Sequence, residues 1–174
     1  EQGVVADYVI IMGYDEHFAG SEESGSVASI GFVRDGIEQT LAEVPAEKVI
    51  NAVPFYTRLW QETPKTEEEI AAEDTTAVDY KYIPYKLSSQ ALGMQAVEDV
   101  LTANGATPTW DDTTAQYYAE FEKDGSTFKV WMEEEKSIEE KAKLLKEYNL
   151  AGIAEWKLGL EKSSIWDIIL KYVN

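Results

Sequence analysis

The chain of 174 residues has no cysteine and a single histidine, His17. The first absence excludes thiol catalysis, zinc–thiolate sites and disulfides. The second argues against a histidine metal site or a Ser-His-Asp triad. Basic residues are scarce, with 15 Lys and Arg against 33 Asp and Glu and a formal net charge of −18. That balance argues against nucleic acid or an anionic membrane as partner, because both need basic surface, and it suits neutral or cationic partners. No apolar run approaches the ~18 residues of a membrane-spanning helix. No signal peptide is readable, and the chain starts at Glu1 where a cut N-terminus is expected. What is present is a hydrophobic fraction of 44% with five Trp and ten Tyr, enough for a folded core in one or two domains.

The organising stretch is Asp7-Tyr-Val-Ile-Ile-Met-Gly-Tyr-Asp-Glu-His17. Its run from Val9 to Met12 is rich in β-branched residues and reads as a short strand buried on both faces. The run stops at Gly13, and Tyr14, Asp15, Glu16 and His17 follow at once. Phenol and carboxylate at the C-terminal end of a buried strand is the layout of α/β active sites. Two further stretches repeat it: residues 49–60, ending in Tyr56-Thr-Arg58-Leu-Trp60, and residues 150–156, ending in Glu155-Trp156. Three strands are thus expected to deliver Tyr14/Asp15, Tyr56/Arg58 and Glu155/Trp156 towards one face.

Between the first two strands lies a loop, residues 13–29, rich in Gly, Ser and Glu and long enough to be functional. Ser29 is placed to cap a helix over residues 30–43 with Val33, Ile37, Leu41 and Val44 as its apolar stripe. Strand, helix and strand in that order imply parallel pairing. The alternation then breaks. Residues 66–73 read as a short helix or a solvated loop, and residues 88–104 as a helix with Met94, Val97, Val100 and Leu101 inward. Gly105 suits a left-handed C-terminal position. Residues 116–122 and 127–132 read as two strands turned by Asp124-Gly125. A capping box, Ser137 with Glu140, is expected to open a helix running to about Tyr148. Ser163 or Ser164 is expected to cap a last helix that buries Ile165, Ile168, Ile169, Tyr172 and Val173. Three β/α units are too few for a closed eightfold barrel, which takes ~250 residues.

With these segments in order, the chain resembles the C-terminal part of the catalytic barrel of family 18 glycoside hydrolases, the chitinases and bacterial spore and peptidoglycan N-acetylglucosaminidases. Met12-Gly13-Tyr14-Asp15 resembles the M-x-Y-D motif that ends the sixth barrel strand. Ala52-Val-Pro-Phe-Tyr56-Thr-Arg58-Leu-Trp60 resembles the seventh-strand segment. Val130-Trp131-Met-Glu133, with Ser137 and Lys141, resembles the lead into the seventh helix. Gly152-Ile-Ala-Glu155-Trp156-Lys-Leu-Gly159 resembles the eighth strand with its terminal tryptophan. The implied fold is α/β: about strands six to eight of a TIM (β/α)8 barrel, residues 1–60 and 135–174, around a small α+β insertion over residues 61–134. The catalytic signature of the fourth strand, D-x-x-D-x-D-x-E, occurs nowhere in the chain. The resemblance therefore implies a fragment without the general acid, inactive alone, from a secreted, cell-wall or spore-associated parent.

The parent's implied reaction is retaining, substrate-assisted hydrolysis of β-1,4-linked N-acetylglucosamine polymers, chitin or peptidoglycan, with no metal or cofactor. The resemblance assigns Tyr14 as the hydroxyl that holds the acetamido carbonyl and Asp15 as a polar partner that contacts sugar or orients the site. Met12, Tyr56, Arg58, Trp60 and Trp156 become sugar-binding positions, with Trp156 as the floor of the subsite. Trp110 and Trp131, with Trp60, are candidates for a wall of sugar-binding aromatics. Glu155 is expected to point away from the site, His17 to be a solvated loop residue, and Glu133-Glu134-Glu135 to be a solvated face or first-turn helix residues. Exposed sheet edges imply oligomerisation or strand exchange. Two rival readings are a non-catalytic chitinase-like sugar-binding protein and a small α/β interaction domain. In the latter, Tyr14 and Trp156 would be core residues with no cleft.

Overall fold

A computed structural model describes residues 2–76 and 78–173. Two sheets organise it. The first is parallel, in the order β1 (Val9–Met12), β2 (Val49–Pro54), β8 (Gly152–Trp156), with Met12 opposite Ala52 and Pro54 opposite Trp156. The second is antiparallel, in the order β4 (Tyr85–Gly93), β3 (Tyr56–Pro64), β7 (Ser126–Met132), β6 (Gln116–Lys123), β5 (Thr109–Asp111). Only Phe55 separates β2 from β3, so one continuous stretch of chain passes from the first sheet to the second.

Three helices cover one face of the parallel sheet: α2 (Ile30–Leu41), α5 (Glu135–Glu147) and α6 (Ser164–Ile169). Val33 and Ile37 of α2 pack with Ile11, and Val53 packs with Ile138, Ile165 and Ile169. Ser29 caps α2 as expected, its Oγ accepting from the Phe32 amide at 3.3 Å. The opposite face is open along its outer strands, while Ala52 of the central strand is buried. Ile10 is 58% exposed, Met12 69% and Trp156 55%. The expectation that β1 is buried on both faces is therefore corrected: its burial alternates. Four apolar residues in a row suit a strand with cover on both sides, and this sheet of three strands has helices on one side only.

Helix α4 (Met94–Ala103) packs on the antiparallel sheet, where Val97 and Leu101 meet Ala119, Val130 and Met132. The expected helix over residues 88–104 begins only at Met94. Residues 85–93 instead pair with β3 along its whole length, Tyr56 opposite Gly93 and Pro64 opposite Tyr85. Ser88, Ser89 and Gln90 carry no apolar stripe, so a full ladder of main-chain hydrogen bonds decides their conformation. The turn of the β6–β7 hairpin is as read, with Asp124 and Gly125 at φ 50° and 75°. Gly105 takes φ 64° after α4. Residues 66–73 settle as α3 (Glu67–Ala71), closed by a Thr66–Glu69 capping box. The Tyr172 and Val173 side chains fall beyond the end of α6, and Val173 is exposed.

Helix α5 starts three residues earlier than its sequence signal suggests. Glu134 is the N-cap, accepting from the Lys136 and Ser137 amides at 2.9 and 2.8 Å, while the Ser137 hydroxyl accepts from the Glu134 amide. Glu133 and Glu134 are buried, not a solvated face. Glu133 forms an ion pair with Lys141 at 2.9 Å inside the protein and accepts from Gln116 at 2.9 Å and Ser137 at 2.7 Å. Burial pushes its carboxyl up against the pull of those partners. Glu135 alone keeps the first-turn role, paired with Lys162 and Ser164.

Candidate functional site

Because β1, β2 and β8 are parallel neighbours, their C-terminal ends share one edge of the sheet. A pocket of about 320 Å³ opens there, lined by Asp15, Tyr56, Arg58, Ala91, Leu92, Trp156, Lys157 and Leu160. Four of the expected site residues thus come together. The pocket wall is completed by β4 and by the loop after β8, and the main chain joins these parts: Met94 N donates to Leu160 O at 2.8 Å, and Phe55 N to Trp156 O at 2.8 Å.

The turn after β1 aims the side chains. Gly13 N donates to Ala52 O at 2.9 Å. A Cβ at Gly13 would lie 2.6 Å from Asn51 Oδ1 and 2.9 Å from that carbonyl, so only glycine lets β1 leave so close to β2. Asp15 then adopts φ 64°, a left-handed conformation that aspartate tolerates better than most residues. In that position its Oδ1 accepts from the Tyr56 hydroxyl. The Tyr14 and Tyr56 rings meet edge to face, with centroids 6.2 Å apart. Burial, the hydrogen bond to Asp15 and its charge push the Tyr56 phenol up; burial and then Asp15 push Tyr14 up. Both tyrosines therefore remain protonated donors across the physiological range. Tyr14 packs partly into the cluster around α2 and stands beside the pocket.

Arg58 lines the pocket from β3, with Nη1 donating to Ser89 Oγ at 3.0 Å and Nε buried without a hydrogen-bond partner. Trp156 presents an exposed face, and its peptide bond to Lys157 is cis. Asp15 is the single carboxyl of the lining.

The other expected residues lie elsewhere. Met12 is on the open face of the parallel sheet. Trp60 is 1% exposed, and its Nε1 donates to Gly25 O at 2.8 Å, a position that supports the 13–29 loop and offers no surface to a ligand. Trp110 lies under the Lys136 ammonium, 3.5 Å from the ring centroid, and Trp131 packs on Tyr118 at 4.9 Å. The three tryptophans do not form one wall.

Glu16 is held by α2, accepting from the Ser29 amide at 2.7 Å and its hydroxyl at 3.0 Å. His17 is partly buried, not solvated, with Nδ1 2.9 Å from Ser26 O and its ring over Gly25. Glu155 points to the helix-covered side, as its parity requires, and burial with the nearby Glu161 charge holds its carboxyl above the usual range. Lys157 and the backbone partner Gly13 were not singled out as functional. Adjacency to Trp156 was the one available signal for Lys157, while the need for glycine at 13 depends on Asn51, far away in sequence.

A family model, glycosyl hydrolases family 18, matches residues 2–161. The sporulation-specific glycosylase YdhD of Bacillus subtilis (strain 168) is 30% identical over 158 residues, covering 91% of this chain and 33% of that protein. The cortical fragment-lytic enzyme of the same organism is 28% identical over 176 residues, covering 99% and 36%. The crystal structure of a chitinase from Chromobacterium violaceum ATCC 12472 superposes with a TM-score of 0.77 at 26% identity, covering 98% of this chain and 47% of that one. The chain thus spans about a third to a half of the length of these relatives.

Proposed function

The chain belongs to the glycosyl hydrolases of family 18, and from that premise we propose that it forms about strands six to eight of a (β/α)8 catalytic barrel that cleaves β-1,4-linked N-acetylglucosamine polymers, chitin or the glycan of peptidoglycan. Residues 1–60 and 135–174 are the barrel part, and 61–134 the α+β insertion. The observation that carries the reading is the pocket at the C-terminal edge of three parallel strands, where Asp15, Tyr56, Arg58 and the exposed face of Trp156 converge. Barrel enzymes place their chemistry at that edge.

In this reading the Trp156 face carries the apolar side of a pyranose. The Tyr14 hydroxyl donates to the acetamido carbonyl as that oxygen attacks the anomeric carbon, and Asp15, accepting from the Tyr56 hydroxyl, orients the site around it. A preorganised donor at such a point is worth ~3 kcal/mol in the transition state. Tyr56 and Arg58 hold sugar oxygens, and Trp60 supports the 13–29 loop beside the site. The attack is substrate-assisted, retaining and free of metal or cofactor. With Asp15 as the single carboxyl of the pocket, the acid that protonates the leaving oxygen comes from outside this chain. The sporulation and cortical names of the relatives support a spore or cell-wall setting for the parent. The outer edges of β1 and β8, which no described strand pairs, support pairing with further strands, including a second copy of the chain; elution and light scattering as a strict monomer at all concentrations would remove that part.

The lone carboxyl also favours a second reading, a sugar-binding relative without catalysis. An interaction domain with no cleft is disfavoured by the exposed Trp156. Titration of N-acetylglucosamine oligomers, followed by tryptophan fluorescence and product release together, tests these readings. Binding without hydrolysis, abolished in Trp156→Ala, is expected. Hydrolysis by this chain alone would overturn the half-site, and absence of binding would overturn both sugar-binding readings.

A further inference from the structure

The pocket inverts the charge balance of the protein. Acidic residues outnumber basic ones by 33 to 15 over the chain, yet Arg58 and Lys157 face a single carboxyl, Asp15, in the pocket lining. In a chain so rich in carboxylates, a cation without one is uncommon. Among the described residues, nearly every other Lys and Arg meets a carboxylate, a main-chain carbonyl or an aromatic face: Lys141 on Glu133, Lys162 on Glu98 and Glu135, Lys48 on the Gly3 and Ala6 carbonyls, Lys136 on Trp110. The exceptions are Lys123, at a solvent-exposed hairpin end, and the two cations of this pocket. Arg58 has one hydrogen bond, to the neutral Ser89, and its buried Nε has none. The Lys157 ammonium has no ion pair or hydrogen bond among the described residues; only the main-chain carbonyl of that residue is engaged, accepting from Leu160 N. Asp15 does not neutralise them, since its Oδ1 is taken by the Tyr56 hydroxyl and it makes no ion pair with either.

A half-buried guanidinium lacking a counterion is unfavourable unless a ligand completes it. We infer that Arg58 and Lys157 are a specificity pair that reads a carboxylate on the bound glycan, so that the site selects an acidic amino-sugar glycan over neutral chitin. This rests on the sugar-binding reading above and narrows its substrate class. The planar guanidinium supplies parallel donors in a fixed fork, which matches a carboxylate better than it matches a sugar hydroxyl. Lys157, exposed in the same lining, adds a second charge. The rest of the chain repels an anionic polymer, so the pair acts at contact range and as a filter.

The test is calorimetric titration of the chain with two disaccharides: neutral N,N′-diacetylchitobiose, and N-acetylglucosaminyl-β-1,4-N-acetylmuramic acid, which adds a lactyl carboxylate. The acidic disaccharide is expected to bind about tenfold more tightly, a gap suited to one charge-assisted contact. Arg58→Met is expected to erase the gap by weakening the acidic disaccharide more than chitobiose, and Arg58→Lys to restore part of it. Lys157→Gln, at an exposed position, keeps the test valid if Arg58→Met fails to fold, as judged by circular dichroism, and is expected to narrow the gap. Equal affinities for the two disaccharides, or a gap that survives both substitutions, would overturn the inference and leave the sugar-binding reading intact. Failure to bind either would overturn both.

Discussion

The two sheets solve the same burial problem differently. The antiparallel sheet completes a core from its own stretch of chain: every residue of the cluster around Val97, Leu101, Val130 and Met132 lies between Leu59 and Met132. The parallel sheet draws its cover from α2, α5 and α6 and still leaves Ile10, Met12 and Trp156 in the open on its other side. The antiparallel sheet and α4 thus hold a cluster of their own. The three parallel strands have helices on one face only, and the candidate site lies at their C-terminal edge.

The largest effect should come from the polar link between the two sheets. Lys141, on α5, neutralises Glu133 at the end of β7. Lys141→Met leaves a buried carboxylate without its cation and is expected to cost about 3–5 kcal/mol in urea unfolding. A loss below 1 kcal/mol would mean that the two sheets do not depend on that link. Next comes the covered face: Ile138→Ala, beneath the parallel sheet, is expected to cost about 2–5 kcal/mol by leaving a cavity. Its counterpart on the open face, Met12→Ser, is expected to stay within about 0.5 kcal/mol. A large loss from Met12→Ser, seen with Ile138→Ala measured alongside, would show that the face is covered in solution.

The smallest effect concerns pH. Glu155 has a raised folded pKa, so its contribution is fully present below the ordinary value of 4.5 and is lost as pH rises through the raised one. Glu155→Gln should raise the unfolding midpoint slightly at pH 7 and hardly at all at pH 4. A midpoint lowered at pH 7 would mean that the carboxylate has a favourable partner.

The legible parts of the molecule were those set by local chemistry. Ser29 as a cap, Asp124-Gly125 as a hairpin turn and the parity that separates Glu155 from Trp156 all depend on neighbours within a few residues. Convergence of Asp15, Tyr56, Arg58 and Trp156, with Tyr14 beside them, followed from strand ends and parallel pairing, and the family motifs added only their roles. What escaped depends on distant partners. Residues 88–93 became a strand because β3 offered a ladder. Glu133 became a buried ion because Lys141 and Gln116 reach it. Trp60 turned inward because the Gly25 carbonyl was there to accept its indole. The pattern of β1 anticipates two covered faces, and a linear pattern records what a strand is suited to meet, whether or not the chain that meets it is present.

The order β1-β2-β8 has a further consequence for exchange with solvent. Amides of β2 donate on both sides to strands, whereas every second amide of β1 and β8 points away from β2 towards no described strand. In deuterated water the central strand should therefore keep its protons longest, and its neighbours should lose theirs in alternation. Any chain that comes to lie along either edge would write itself into that record as slowed exchange at alternate residues, a footprint with the period of the strand itself.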